Sequence, residues 1–533
     1  MSNMICGSWG GFGFLGRVSL LLLCAQLIAV PKTWAGNSEV PVSMRLLAEP
    51  GQNGVLRYVA DRYDVRGASF HDPLSTPVTT GFELSFVGTI PSAGRVKVKL
   101  DLVLWLAEKH SRRHPGEVQE LTVAAEFEVE DGEPFVIPET VNGPEVVATP
   151  RIVIDDGGSP TAMLLKVDVP IGGRAVALPR QRLVKNISLI GTEGSVNSIH
   201  EAAGHSFVTG VTDGEAILTT LETGARLAAR TATTTATDGG TIIRMMDFAV
   251  GCDLVDDNVA TKRVRGKALS HKLHLPVARS VHVDTVASVR DGSTIVLAGI
   301  QAGEGDTEIL VFVTPRVVDA PAPQVFLEAR IVLIGGGGVD EVEGTPHRNR
   351  HLKTVSTRAT EPRTGLLFQS AERSFVVGHR HGEDVTLSLE SETALVFTPS
   401  TLPSGDHLIG VNLAWKDFEA DAPRFSLGKG SKKKFVELPE SRSLELVTNV
   451  AVRDGETVVL GGRVFEQNLP KSTHKLESVF FATANVLGDG AVRLEGRLVR
   501  VDEETTRESR HRASEVEQSL NEELFCAEIE TTP

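Results

Sequence analysis

The sequence predicts an all-β protein made of tandem, sandwich-like copies of one unit, and three observations predict it. First, VRDGSTIVLAG at Val289–Gly299 returns as VRDGETVVLGG at Val452–Gly462, and in weaker form as VEDGEPFVIPE at Val129–Glu139. Copies spaced about 160 residues apart indicate repeated structural units. Second, apolar and polar residues alternate over long stretches, as in RVKVKLDLVLW at Arg95–Trp105. That is the pattern of a half-buried antiparallel strand. Third, helical periodicity is confined to the C-terminal tail, where Val516, Leu520, Leu524 and Ala527 would share one face of a short helix.

Residues 1–35 read as a secretory signal peptide. Arg17 precedes the apolar run Val18–Val30, and Thr33-Trp34-Ala35 ends on a small residue suited to cleavage. A retained N-terminal anchor is the alternative. Leu21, Leu22 and Leu23 fill the three positions before Cys24, a poor context for lipid attachment. Cleavage would leave Cys252 and Cys526, whose pairing the sequence leaves open; a disulfide framework is excluded. Burial of apolar surface must therefore hold the fold, and a hydrophobic content of 41% suffices. The net charge of −15 argues against nucleic acid as a partner. Aromatic residues make up only 5%, with two tyrosines, too few for the aromatic girdles of a lipid-facing barrel.

The copies extend in both directions from the Asp-Gly turns, where Asp-Gly supplies the positive φ of a tight hairpin. Downstream lie EVVATPRIVID (Glu145–Asp155), EILVFVTPRVVD (Glu308–Asp319) and ESVFFATANVLG (Glu477–Gly488). Proline removes a ladder donor, so Pro150 and Pro315 are expected at a strand end or a sheet edge. Upstream, each copy offers two strands around a glycine-containing turn, the second ending in an aromatic: Trp105, Phe248 or Trp415. Both tryptophans are expected as core anchors. VSMRLLAEP (Val42–Pro50), AMLLKVDVP (Ala162–Pro170) and QVFLEARIVLI (Gln324–Ile334) are expected to open the copies. The expected domains are therefore 40–155 (divergent), 162–320 and 324–500, followed by an acidic tail over 501–533.

These segments, in this order, resemble the C-terminal β-domain of bacterial secretins, the ring-forming outer-membrane channels of type II and III secretion and type IV pili. Val289, Asp291, Gly292, Val296, Leu297 and Gly299 match that family's first motif, and Thr314, Pro315 and Val318 its second. Copy three matches the first motif with Val452, Asp454, Gly455, Val459, Gly461 and Gly462. VFLEARIVLIG (Val325–Gly335) resembles the opening strand and ERSFVVG (Glu372–Gly378) a further segment. The resemblance implies a secretin-like β-fold, self-association or contact with other envelope secretion subunits, and a place in the periplasm or outer membrane. Two family features are missing. Between Gly378 and Thr393 there is no long membrane-spanning insertion, and the segment carries Glu383, Asp384, Glu390 and Glu392. Gly299 and Thr314 are joined by a hairpin-sized connection in place of a lip.

No catalytic, cofactor-binding or metal-binding set emerges. HEAAGH (His200–His205) places its second histidine one residue late for a zinc helix and reads as strand or loop. GHRHGED (Gly378–Asp384) and SHKLHLP (Ser270–Pro276) read as solvated segments, GGGG (Gly335–Gly338) as a turn, and GKGSKKKF (Gly428–Phe435) as an exposed hairpin tip. The expected function is that of a non-enzymatic envelope protein, a structural or oligomerising component of a type II/III-like secretion system. The alternative is a soluble extracytoplasmic scaffold or binding protein that keeps the fold without forming a pore.

Overall fold

A computed structural model describes residues 42–502 outside the connections 66–74, 108–117, 138–145, 155–159, 170–182, 213–214, 256–259, 266–269, 303–306, 319–321, 323, 336–349, 360–363, 381–382, 419–421, 428–433, 470–471 and 487–491. The expected signal peptide, the expected tail helix, Cys526 and the tip of GKGSKKKF lie outside the described residues.

Every described element is a β-strand or a turn, in keeping with the alternating sequence. We group the strands into three copies by their pairing. Copy one holds β1 (Val42–Ala48), β2 (Asn53–Val65), β3 (Ser75–Ser92), β4 (Arg95–Ala107), β5 (Val118–Glu130), β6 (Phe135–Ile137), β7 (Val146–Ile154) and β8 (Pro160–Val169). Copy two holds β9 (Leu183–Thr192), β10 (Val196–Thr212), β11 (Glu215–Thr235), β12 (Thr241–Val255), a hairpin of β13 (Ala260–Arg265) and β14 (Ser270–Leu275), then β15 (Val277–Arg290), β16 (Ile295–Ala302), β17 (Thr307–Val318) and β18 (Gln324–Gly335). Copy three holds β19 (Arg350–Ala359), β20 (Gly365–Arg380), β21 (Glu383–Thr401), β22 (His407–Phe418), a hairpin of β23 (Arg424–Leu427) and β24 (Lys434–Glu437), then β25 (Ser441–Val452), β26 (Thr457–Leu469), β27 (Ser472–Val486) and β28 (Val492–Asp502).

Two twelve-stranded antiparallel sheets run through all three copies. Sheet I has the order β19-β28-β27-β26-β9-β18-β17-β16-β1-β8-β7-β6, and sheet II the order β20-β21-β22-β25-β10-β11-β12-β15-β2-β3-β4-β5. Each copy thus gives sheet II four neighbouring strands, and the copies lie in the row three, two, one. The sheets face each other across one continuous core. Strand alternation builds that core: on β15, Val281, Val283, Ala287 and Val289 are buried while Asp284 and Ser288 point away. Opposite them, sheet I contributes Met44, Leu46, Met163 and Leu165. Each such aliphatic side chain contributes about 1.5–3 kcal/mol on full burial. A second, small core of Val208, Val211, Leu273, Val436 and Leu438 lies under the β13–β14 and β23–β24 hairpins.

The structure corrects four sequence expectations. The Asp-Gly turns do not close hairpins: β15 lies in sheet II and β16 in sheet I, so Gly292 (φ 70°) turns the chain from one sheet to the other. Gly132 (φ 78°) and Gly455 (φ 75°) do the same in the other copies. A hairpin and a cross-sheet arch both need positive φ, so the local sequence does not separate them.

Pro315 sits inside β17, between β16 and β18, where a sheet edge or strand end was expected. Pairing with β16 stops at Val313, and the Pro315 carbonyl accepts the Gly292 N–H instead. In a strand, the nitrogen and carbonyl of one residue point the same way, so proline's missing donor falls where no ladder partner stands.

Trp105 is not a core anchor. Val98, Leu100, Leu102 and Leu104 take the inward positions of β4, which turns Trp105 to the opposite face. Trp415, by contrast, is buried as expected.

The strands AMLLKVDVP and QVFLEARIVLI do not hold the place of VSMRLLAEP. β8 pairs with β7 and with β1, and β18 pairs with β17 and with β9. Both close a copy, whereas β1 and β9 open one.

Candidate assembly interface

The surfaces that join copy to copy are the most elaborated sites of the molecule. In sheet II, β15 of copy two pairs with β2 of copy one, and β25 of copy three pairs with β10 of copy two. Both junctions use the same register. Val55, four residues after Gly51, faces Asp284, seven before Asp291. Ser198, four after Gly194, faces Val447, seven before Asp454. Gly51 and Gly194 are equivalent turn residues, with φ of 81° and 79°. Sheet I repeats the rule: Arg45 faces Gly299 and Ser188 faces Gly462. The β-bulges also coincide, between Val296 and Ala298 and between Val459 and Gly461.

One side-chain bond recurs at both junctions. Thr285 donates its hydroxyl to the Leu47 carbonyl at 2.6 Å, and Thr448 donates its own to the Ile190 carbonyl. Each threonine lies six residues before its Asp-Gly aspartate and is buried. A β-branched residue suits the strand, and the hydroxyl satisfies a carbonyl at a strand end that the ladder leaves over. The sequence carries this signal at a fixed offset, in TVASVRDG and TNVAVRDG, but threonine is ordinary in strands, so the offset alone does not mark an interface.

Further polar contacts differ between the junctions. Between copies one and two, the Glu49 carboxylate accepts hydrogen bonds from Arg244 Nε at 2.9 Å and Ser288 Oγ at 2.5 Å. The Glu49 side chain is only 12% exposed, so this contact is better shielded than surface ion pairs. Between copies two and three, Asn197 Oδ1 accepts from the Asn449 N–H at 3.0 Å and lies 3.1 Å from Thr448 Oγ1. There Gln324 Nε2 also donates to the Ala451 carbonyl at 2.7 Å.

The Asp-Gly and Thr-Pro motifs meet within each of the first two copies. Asp291 Oδ1 accepts the Val317 N–H at 2.9 Å while the Gly292 N–H reaches the Pro315 carbonyl at 2.9 Å. In copy one, Asp131 Oδ1 accepts from Ile152 N at 2.7 Å and Gly132 N donates to the Pro150 carbonyl at 2.9 Å. These are arch-fixing contacts, which explains why the two motifs recur together.

The histidine segments are built into strands. HEAAGH lies within β10, as strand, and His205 contacts Glu440 at 3.8 Å. His274 of SHKLHLP sits between Phe207 and Phe425, and its Nδ1 accepts the Val208 N–H at 3.1 Å. His381 of GHRHGED lies outside the described residues. Trp105 is covered by the Arg57 guanidinium, 5.7 Å from the ring centroid, and donates to Glu120 at 3.2 Å.

No known protein-family profile matches the chain, and no curated protein matches it. Among solved structures, it is similar to the type IV competence pilus secretin PilQ of V. cholerae. The identity is 12%, over 66% of this chain and 67% of that one, with a TM-score of 0.13. So low a TM-score leaves strand order and register to define the architecture.

Proposed function

We propose that this chain is a non-enzymatic structural protein of the bacterial cell envelope that serves a secretion-related assembly in the periplasm or at the outer membrane. The reading rests on one observation above others. Residues that resemble the secretin motifs, Asp291-Gly292 and Pro315, fix the arch between the two sheets. The chemistry of the molecule is thus spent on joining strands, and its best-built surfaces are junctions between like units. Deleting the gene in the source bacterium and measuring export of its secreted proteins tests the reading. Loss of export, restored by the intact gene, supports it; unchanged export across growth conditions rejects it.

A second reading, a soluble extracytoplasmic scaffold of the same fold, is favoured by the β20–β21 pair. There Glu372 faces Glu390 and Ser370 faces Glu392, all exposed. Carboxylates are costly against lipid. Recovery of the mature chain from the periplasmic fraction without detergent separates the two.

A further inference from the structure

We infer that this chain binds a second copy of itself head to tail, through pairing of β5 on one chain with β20 on the next, in the register already used inside the chain. Sheet II ends at β20 on the copy-three side and at β5 on the copy-one side. β5 is the counterpart of β15 and β25, each of which pairs with the opening sheet II strand of the preceding copy. β20 is the counterpart of β2 and β10, the strands that receive them. The chain therefore carries both halves of a joint that it makes twice internally and that, among the described residues, is unpaired at both ends of sheet II.

The register follows from two anchors. Ala124 lies seven residues before Asp131, as Asp284 and Val447 lie before their aspartates. On the receiving side, SFVTG (Ser206–Gly210) and SFVVG (Ser374–Gly378) carry the same bulge, between Val208 and Gly210 and between Val376 and Gly378. Ser198 lies eight residues before Ser206, and Leu366 lies eight before Ser374. Ala124 of one chain accordingly faces Leu366 of the next. The β10–β25 ladder runs from Ser198–Val447 to Gly204–Ser441. Carried to the ends, that span runs from Leu366–Ala124 to Glu372–Val118, and Val118 is where β5 begins.

The side chains on the two edges fit this span. Leu366 and Phe368 are 67% and 58% exposed, on a strand with no sheet II neighbour on that side among the described residues. Ala124 and Thr122, also outward-facing, would lie across from them. Most of the charge of β5 stays outside the span, where Glu126 and Glu128 pair with Lys97 and Arg95 of the same chain, and Glu120 inside it would face the uncharged Ser370. A slip of two residues would set Glu372 against Glu120, and like charges directly opposite are destabilising. A hydrophobic edge strand is otherwise an aggregation site, so a defined partner gives it a use. The interface is heterologous, because the two chains contribute different strands.

One element of the internal joint is missing. Ala125 stands where Thr285 and Thr448 carry their hydroxyls, so the joint between chains lacks that bond and is weaker than the internal ones. The pairing stands on strand register alone, so it and the secretion reading fail independently.

Cysteine cross-linking of the full mature chain tests it, in a Cys526→Ser background with the buried Cys252 retained. Ser198→Cys with Val447→Cys marks the internal joint, Ala124→Cys with Leu366→Cys the joint between chains, and Ala124→Cys with Ser370→Cys a wrong register. The expected result is an intrachain bridge in the first, a ladder of chain-to-chain products in the second, and at least about tenfold less product in the third. Failure of the internal bridge to close, absence of the ladder, or equal yields in both registers overturns the proposal. Light scattering of uncross-linked protein supplies the second arm. Phe368→Glu should weaken association about tenfold, and Ala125→Thr should strengthen it about tenfold, each equivalent to 1.4 kcal/mol. A parent chain that stays monomeric, or association indifferent to both substitutions, overturns it as well.

Discussion

The backbone N–H of Gly292 donates to the carbonyl of Pro315 at 2.9 Å, across a turn that carries the chain from sheet II to sheet I. Gly292 has φ of 70°, and a Cβ added there would meet nothing within 4 Å. The glycine is needed for its backbone conformation and not for space. Gly292→Ala should therefore cost about 1–2 kcal/mol, the strain of a left-handed alanine. Gly81 presents the opposite case, with φ of 146° and a built Cβ 2.0 Å from the Tyr58 carbonyl oxygen. Gly81→Ala must move the β2–β3 backbone, so its urea midpoint should fall well below that of Gly292→Ala. Equal midpoints would contradict this account.

Thr285 and Thr448 should both matter, and Thr448 at least as much, because its hydroxyl also lies against Asn197 Oδ1. Replacing either with valine keeps shape and strand propensity but orphans a buried carbonyl, at a cost of about 1–3 kcal/mol. Chemical denaturation of each single variant and of the double variant checks this. The two sites share no partner, so the double variant should show the sum.

Arg244 and Arg95 separate a shielded ion pair from an exposed one. Arg244 reaches the 12%-exposed Glu49, while Arg95 pairs with Glu128, 42% exposed. Arg95→Ala should cost no more than about 1 kcal/mol. Arg244→Ala leaves Glu49 with the Ser288 hydroxyl alone and should cost about 1–3 kcal/mol. A double-mutant cycle with Glu49→Gln should return a coupling for Arg244 and close to none for Arg95 with Glu128→Gln.

Asp238 carries a pH signature. The Gly240 N–H and the Arg290 guanidinium hold its carboxyl below the ordinary aspartate value of 3.8. A lowered folded pKa stabilises the fold above the unfolded value, and that contribution disappears as pH falls through the folded one. Asp238→Asn should therefore lower stability slightly at neutral pH, where that contribution is fully present, and match the parent once pH falls below the folded pKa, so its acid limb is flatter. Carboxyl NMR should show the Asp238 titration moving back up in Arg290→Ala.

The fold class and the repeats were legible because both are written in local pattern. Alternation such as RVKVKLDLVLW can only be satisfied by a two-faced strand, and Asp-Gly recurs wherever positive φ is needed. Parity and partnership were less accessible. Trp105 differs from the buried Leu104 by one residue, which in a strand is the difference between two faces. Trp105 and Trp415 stand at nearly equivalent places in their copies, and near equivalence does not fix which face a side chain takes. The arch at Gly292 reads like a hairpin because its two strands differ only in which distant strands receive them. The interface threonines stood in plain view, yet only the pairing of β15 with β2 and β25 with β10 gives their common offset a meaning.

The row of copies in sheet II also sets a direction for folding. Copy one comes first along the chain and offers β2 as a template; β15 of copy two adds to it and presents β10, to which β25 of copy three then adds. Each addition needs only what has already been made, so the wall grows vectorially from the N-terminus. The freshly exposed edge always belongs to the newest copy, while β5 waits unchanged at the oldest end.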